Sequence, residues 1–412
     1  MNKIEGCEVC GGGQLLPVLD LGRHPMCDDL VPVGNGRIPA DYPISIVFCP
    51  ICRTAHQEYQ IPKQTLFPTS YHYRARHTAD VLGGMRELVE RCRAELGELG
   101  GRSVLDIGCN DGSLLSIFAE NEMRTAGVEP TGAAEDAEQA GHRVYRAYLT
   151  PELAQTIVSD RGHPDIITFT NVFAHIEDLP SVIVALKTLA GPRTLLVIEN
   201  HYLGAVLDRY QFDTFYHEHP RTYSLTSFRR IAQSLGAKLV GAEFPKRYGG
   251  NIRVLMNFDE LATSQAPAEV DRLAAIEEDF DRRLLDMGRR IPLWRAAKRS
   301  LLASVVASYG PISGKAFPGR AAILVKLLGL NNTMITGVYE KPGSMKVGHY
   351  LPGTRIPILS DADFPERPNT EAPLLNLAWH ISSEIRGYMK RQGFDGEIVD
   401  LFSPEEFDRL TQ

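Results

Sequence analysis

A chain of 412 residues is longer than one hydrophobic core normally serves, so two or three domains are expected. Hydrophobic residues make up 43% and charged residues 23%, the balance of a globular protein and not of a disordered one. A formal charge of -7 gives no global attraction for nucleic acid or an anionic membrane, although a local basic pocket could still take a phosphate.

The amino terminus, Met1-Asn2-Lys3-Ile4-Glu5-Gly6-Cys7, lacks the apolar core of a signal peptide. No apolar run approaches the roughly 20 residues needed to cross a bilayer. The expectation is a cytoplasmic protein with no membrane partner. Residues 1–70 are rich in Gly and Pro, with short apolar pieces such as Ile44-Ser45-Ile46-Val47-Phe48, and have little core of their own. Two Cys-x-x-Cys pairs, Cys7/Cys10 and Cys49/Cys52, are available as a staple. Four thiolates close the tetrahedron of a zinc ion and leave no position for water, so a structural zinc site is expected. A redox pair would open a helix after a strand, and neither pair does. Cys27, Cys92 and Cys109 read as single thiols.

Beyond residue 70 the pattern becomes an alternation of helices and strands. Val81 to Leu96 reads as an amphipathic helix, and Ser103-Val104-Leu105-Asp106 as a strand running into a glycine loop and the helix Ser113 to Glu120. Further strands are expected at 125–129, 166–169, 194–199, 238–243 and 252–257. The fold class is therefore α/β, with a doubly wound sheet whose active groups lie at the carboxyl ends of its strands. Residues 270–308 are charged and helical in period, and read as a solvated linker helix interrupted at Pro292. A second α/β unit follows, with helices at 321–330 and 375–392 and strands at 334–339, 355–359 and 397–401. The expected domains are a zinc module (1–70), a central sheet domain (71–257), a helical linker (258–310) and a carboxyl-terminal α/β domain (311–412).

The loop Asp106-Ile107-Gly108-Cys109-Asn110-Asp111-Gly112 joins a strand to a helix, and the next strand ends at Glu129, placed to take the two hydroxyls of a ribose. A dinucleotide site wants glycine where Asn110 stands, and Asp111 would repel a pyrophosphate. The cationic amino and sulfonium groups of S-adenosylmethionine tolerate that charge. The loop resembles motif I of class I methyltransferases, with Asp106, Gly108, Asn110, Asp111, Gly112 and Glu129 as candidate cofactor residues.

The strand at 166–169 brings Asn171 and His175 to the rim of the same cleft, Asn171 toward the cofactor. His175 reads equally as a buried, hydrogen-bonded histidine without a chemical task. After the following strand come His201 and Tyr202, then Phe212-Asp213-Thr214-Phe215-Tyr216-His217-Glu218-His219, dense in titratable groups. Such a segment can supply a general base and donors to an oxyanion. His217 and His219 could offer a metal two ligands at most, because in an extended stretch Glu218 faces the other way. Methylation of carbon needs a base and a stabilised enolate, whereas methylation of an alcohol needs only the base. The segment suits the former without deciding it.

Taken in order over nearly the whole chain, these segments resemble the sugar C-methyltransferase family, typified by an enzyme that methylates C3 of dTDP-3-amino-4-keto sugars. The resemblance includes the cysteine pairs, Tyr71-His72-Tyr73, the motif I loop and Asn171-Val172-Phe173-Ala174-His175-Ile176. Residues 212–225, Gly249-Gly250-Asn251-Ile252-Arg253 and residues 347–354 complete it. It implies that S-adenosylmethionine is the methyl donor and that the acceptor is a nucleotide-linked keto-sugar. His219 would be the base, and Tyr216, Glu218 and His175 would line the site. Tyr71 or Tyr73 would reach over the sugar, and the carboxyl-terminal unit would help hold the nucleotide. The chain departs from the family at Arg74-Ala75-Arg76-His77-Thr78, at residues 314–320 and at Trp379-His380, where sugar and nucleotide would be held. The roles of Arg74, Arg76 and Arg320 stay open, as does O- or N-methylation or another proton transfer on a related substrate. Three segments able to bury one another suit a monomer.

Overall fold

The computed structural model describes residues 1–67, 74–77, 79–245, 249–259, 267–364 and 371–410. The expected site residues Tyr71 and Tyr73 lie outside the described residues. Two compact units emerge. The first takes Met1–Leu16, Val47–Val206 and Glu218–Asp281; the second takes Pro17–Ile46, Leu207–His217 and Arg282–Gln412.

The first unit is built on seven strands: β1 (Ser103–Ile107), β2 (Arg124–Val128), β3 (Arg143–Tyr145), β4 (Ile166–Thr170), β5 (Leu195–His201), β6 (Lys238–Glu243) and β7 (Asn251–Asn257). Their order is β6-β7-β5-β4-β1-β2-β3, with β1 to β5 parallel and β7 antiparallel to both β5 and β6. Ile166 to Phe169 and Leu195 to Ile198 are buried without alternation, as strands covered on both faces must be. The covering helices include α1 (Ala79–Leu96), α2 (Ser113–Ala119), α3 (Ala134–Gln139), α4 (Pro151–Arg161), α5 (Leu179–Leu189) and α6 (Leu225–Leu235). Val81, Leu88, Val89 and Cys92 of α1 and Leu114, Leu115 and Phe118 of α2 share one apolar core with Val104, Ile166 and Leu195. The strand order reverses between β1 and β4, which opens a crevice at their carboxyl ends.

Helix ends here are specified locally. Thr150 and Asp178 accept from the backbone of the first turn of α4 and α5, each with a proline just inside. Ser224 and Ser227 cap α6 reciprocally, and Gly236 closes that helix at φ +72°. Two short ladders, Asn2–Lys3 with Tyr59–Gln60 and Thr54–Gln57 with Arg221–Thr222, bind the cysteine-bearing segments into the same unit.

The second unit holds five parallel strands: β8 (Ile312–Lys315), β9 (Ile335–Glu340), β10 (Ile358–Ser360), β11 (Leu374–Asn376) and β12 (Ile398–Asp400), in the order β10-β9-β8-β11-β12. This is the second α/β sheet the pattern suggested, with two corrections. The helix expected over 375–392 is strand β11, a 3-10 turn at Trp379–Ile381 and a shorter helix at Ser382–Arg391. The linker helix is not broken at Pro292: helix α7 runs without interruption over Phe280–Tyr309. Nor is it solvated all round. Leu284, Met287, Ile291, Trp294, Lys298 and Leu302 are buried at spacings of three or four, and Trp294 meets the rings of Phe212 and Phe402. Each large apolar side chain so buried contributes about 1.5–3 kcal/mol, enough together to offset the roughly 3 kcal/mol an internal proline costs.

Candidate active site

The two cysteine turns are built alike. The carbonyl of Cys7 accepts from the Gly11 N–H and that of Cys49 from the Arg53 N–H, both at 2.9 Å. The closing residues stand at φ +73° and +58°. All four sulfurs lie within 4.8 Å of one another, Cys7 Sγ 3.3 Å from Cys52 Sγ and Cys10 Sγ 3.6 Å from Cys49 Sγ. Hydrogen bonding among the sulfurs pulls the Cys49 thiol down, pushes Cys7 up to about 12 and raises Cys52. The protons retained there are those a divalent cation would displace. Four sulfur donors at this spacing fit zinc. Among the described residues, this is the only group of three or more His, Cys, Asp or Glu arranged to hold a metal.

The glycine loop follows β1. Gly108 stands at φ +73°, and a Cβ there would come within 2.5 Å of Val172 Cγ2, so only glycine fits. Glu129, just past β2, is 5% exposed. Its Oε1 accepts from the N–H and hydroxyl of Thr131 at 2.9 and 2.6 Å, and its Oε2 accepts from the Asn110 N–H at 3.0 Å. Asp106 is buried behind the loop and accepts from the Thr168 hydroxyl at 2.7 Å. Burial pushes the Asp106 carboxyl up to about 7, and the Glu129 charge adds to the effect. A loop flanked by Asp111 and Glu129 suits a cationic cofactor and would repel a pyrophosphate.

Asn110 and Asp111 carry a second load. Asn110 Oδ1 accepts from the Ala75 N–H at 3.1 Å and Asp111 Oδ2 from the Arg76 N–H at 3.0 Å, while Asp111 Oδ1 takes the Ser113 hydroxyl at the start of α2. Arg74 and Arg76 both pair with Asp136, at 2.7 and 3.0 Å. These two arginines therefore clasp the loop's flank. Gly112, at φ +77°, lies against Ala137 of α3.

At the carboxyl end of β4, Asn171 takes a left-handed turn at φ +55°; its Oδ1 accepts from Asn251 Nδ2 at 3.2 Å, and Asn251 is anchored in turn on the buried Glu199. The 3-10 turn Phe173–His175 then presents His175, whose Nδ1 lies 2.6 Å from the carbonyl of Glu218. A carbonyl only accepts, so Nδ1 carries the hydrogen; in the neutral ring favoured by burial, Nε2 keeps the lone pair. The ring of His219 stands 4.9 Å from that of His175 and 5.2 Å from that of His201. Phe67 closes on the far side of His175 at 5.2 Å. His201, which follows the strand expected over 194–199 and has no assigned role there, is the last residue of β5. Glu218 and His219 are both buried.

Tyr216 and His217 fall in the second unit, where His217 Nε2 donates to the Tyr42 carbonyl at 3.2 Å. Arg320 in that unit is almost fully buried. Its Nε reaches Asp213 Oδ2 at 2.9 Å and its Nη groups reach Gln211 Oε1 at 3.2 Å, with the Trp379 ring 5.3 Å away.

Residues 75–241 match a family described as a methyltransferase domain, residues 246–399 one described as a C-methyltransferase C-terminal domain, and residues 7–67 one described as a zinc binding domain. C-methyltransferase NovU of Streptomyces niveus is 30% identical over 398 residues, covering 93% of this chain and 92% of that protein. Ubiquinone biosynthesis O-methyltransferase of Acinetobacter baylyi is 33% identical over 103 residues, 23% of this chain and 42% of that one. Magnesium protoporphyrin IX methyltransferase of Synechocystis PCC 6803, solved with bound S-adenosylmethionine, is 17% identical. It covers 43% of this chain and 79% of its own, at a TM-score of 0.34.

Proposed function

The chain belongs to the C-methyltransferase family, and on that footing we propose that its acceptor is a nucleotide-linked keto-sugar, methylated at the carbon beside the ketone. The enzyme is an S-adenosylmethionine-dependent methyltransferase with a zinc-binding amino-terminal segment. Gly108, Glu129 and Asn171, with the acidic loop between them, would hold the cofactor. Bound there, S-adenosylmethionine supplies an electrophilic methyl group on a positively charged sulfur.

The observation that carries the reading is the row of three imidazoles, His175, His219 and His201, in loops and strand ends at the carboxyl side of β4 and β5. A carbon beside a ketone must lose a proton before it can attack. His219 would take that proton and leave the C–H electron pair delocalised onto the ketone oxygen as an enolate; the enolate carbon would then take the methyl group as the methyl–sulfur bond breaks, its electron pair leaving on the neutral sulfur of S-adenosylhomocysteine. Neighbouring imidazoles offer His219 a path to pass the proton on and return to its neutral form. Glu218, with His175 held on its carbonyl, orients the sugar. Tyr216 enters the proposal through its place in the Tyr216-His217-Glu218-His219 segment alone. An alcohol methyltransferase would need one base and no such row.

Mass spectrometry of candidate nucleotide-linked keto-sugars incubated in deuterated water tests the assignment. A carbon-methylated product is expected, together with solvent deuterium at the carbon beside the ketone when cofactor is withheld. Methyl on oxygen or nitrogen with no exchange would overturn it.

A further inference from the structure

Arg221 is 0% exposed, yet everything it holds is distant in sequence. Its Nη1 donates to the Ile176 carbonyl and its Nη2 to the Glu177 carbonyl, the latter at 2.6 Å. These are the two residues that follow His175. On the other side its Nε pairs with Glu8 Oε2 at 3.2 Å as an ion pair without hydrogen-bond geometry, and Glu8 lies inside the first cysteine turn, between Cys7 and Cys10. Gln60 Nε2 donates to the same carboxylate oxygen at 2.7 Å. His56, the residue directly opposite Arg221 across the two-strand ladder, puts its Nε2 3.4 Å from Cys7 Sγ.

A guanidinium without water is stable only where carbonyls and a carboxylate take up its charge and its donors. The carboxylate comes from the metal-binding turn, and the carbonyls come from the active-site loop. Phe173, packed among Phe169, Tyr223 and Phe228, the Ala174 N–H on Asn200 Oδ1 and His175 Nδ1 on the Glu218 carbonyl hold the first part of that loop, and Arg221 holds the carbonyls that follow. Asn171 leaves the sheet in a left-handed turn, Phe173–His175 is a single 3-10 turn, and the carbonyls of Ile176 and Glu177 belong to no strand or α-helix. Ile176 and Glu177 are half-buried, and Arg221 supplies donors to both of their carbonyls at once.

We propose that Arg221 is a positioning residue, clamped by Glu8 of the first cysteine turn, that sets the loop carrying His175 and so makes the metal centre a brace for the active site. The proposal rests on the reading of His175 as an active-site group. It explains why a carboxylate stands between two metal ligands, where an exposed turn would accept almost any residue.

Glu8→Gln and Arg221→Lys test the brace through zinc content, cofactor affinity, amide exchange and steady-state kinetics. Glu8→Gln should keep about one zinc per chain, because the four sulfurs are untouched. Amide exchange at residues 173–177 should rise about tenfold as the loop opens locally. Turnover should fall by about tenfold or more, with cofactor Kd and acceptor KM little changed, because a misplaced loop costs rate before binding. Arg221→Lys should move the same readings the same way, since an ammonium cannot span two carbonyls and a carboxylate in one plane. Unchanged exchange at 173–177 in both variants, with zinc retained, overturns the brace. So does exchange rising equally over α6 and the cysteine turns, which would mark a general loss of structure, and so does a loosened loop that leaves turnover intact. His175→Asn separates this proposal from the functional reading. Full turnover in that variant removes His175 from the chemistry, while exchange at 173–177 still decides whether Arg221 holds the loop.

Discussion

The imidazole of His219 lies 4.9 Å from that of His175, tilted by 44°, with His201 5.2 Å away. In the proposed mechanism the middle ring of this row, His219, is the proton acceptor. His219→Asn keeps a polar side chain of similar size and removes the base. Turnover should fall by about 10²–10⁴-fold, the usual contribution of a general base, while cofactor affinity stays within about twofold. Steady-state kinetics with calorimetric titration of the cofactor checks both. Undiminished turnover would take His219 out of the base role.

Gly108 is the most restrictive position of the cofactor loop, with φ +73° and Val172 Cγ2 2.5 Å from where a Cβ would stand. In Gly108→Ala the loop must shift, and with it the Asn110 N–H that holds Glu129. The expected result is cofactor binding weakened by about tenfold or more, at a stability cost of about 1–3 kcal/mol for the strained backbone. Calorimetry and thermal melts measure the two effects separately. Wild-type affinity in this variant would show that the loop does not approach the cofactor.

The cofactor loop, the cysteine turns and strands β1, β2 and β4 to β7 were legible because each is set by local signals: glycines at left-handed positions, paired cysteines, apolar strands ending in polar loops; the three-residue β3 and the order of the strands in the sheet depend on pairing and were not. What was not legible depends on partners far along the chain. Leu374–Asn376 reads as the start of the following helix because three apolar-to-polar residues carry no period of their own; only pairing with β8 and β12 makes them a strand. Pro292 reads as a break because its cost is local, while the buried stripe that overrides it spans several turns of α7. Arg221 reads as one more polar residue beside a proline. Its burial follows from Glu8 and two carbonyls more than forty residues away.

Arg320 had no assignable role from sequence, and its surroundings give it one. Asp213, 1% exposed, accepts from Arg320 and from the Trp379 Nε1–H at 2.9 Å, so one carboxylate ties three segments of the second unit. Arg320→Met should cost about 3–5 kcal/mol, because Asp213 is left charged and buried. The double variant with Asp213→Asn should recover part of that loss, since the stranded charge is gone. Denaturant midpoints of the two variants provide the comparison, and equal losses in both would mean that the charge pair is not what Arg320 contributes.

His217 stands inside the titratable segment but is read here as structural. Its Nε2–H is engaged by the Tyr42 carbonyl, and burial pushes its pKa down to about 4. A histidine whose folded value lies below its unfolded value stabilises the fold while neutral. That contribution is complete above the unfolded value of about 6.5 and is lost as pH falls toward 4. His380, in the same unit, is pushed down to about 3 by burial, with the charges of Arg320 and Arg209 adding to the effect. The slope is about 1.4 kcal/mol per pH unit for each such group, so His217 alone should cost about 2 kcal/mol between pH 6.5 and 5. His217→Gln keeps a donor for Tyr42 but cannot take up the proton, and should flatten the dependence by that amount. Urea unfolding at pH 7 and pH 5 reads the difference directly. A variant that loses stability with acid as steeply as the parent would place the titrating group elsewhere.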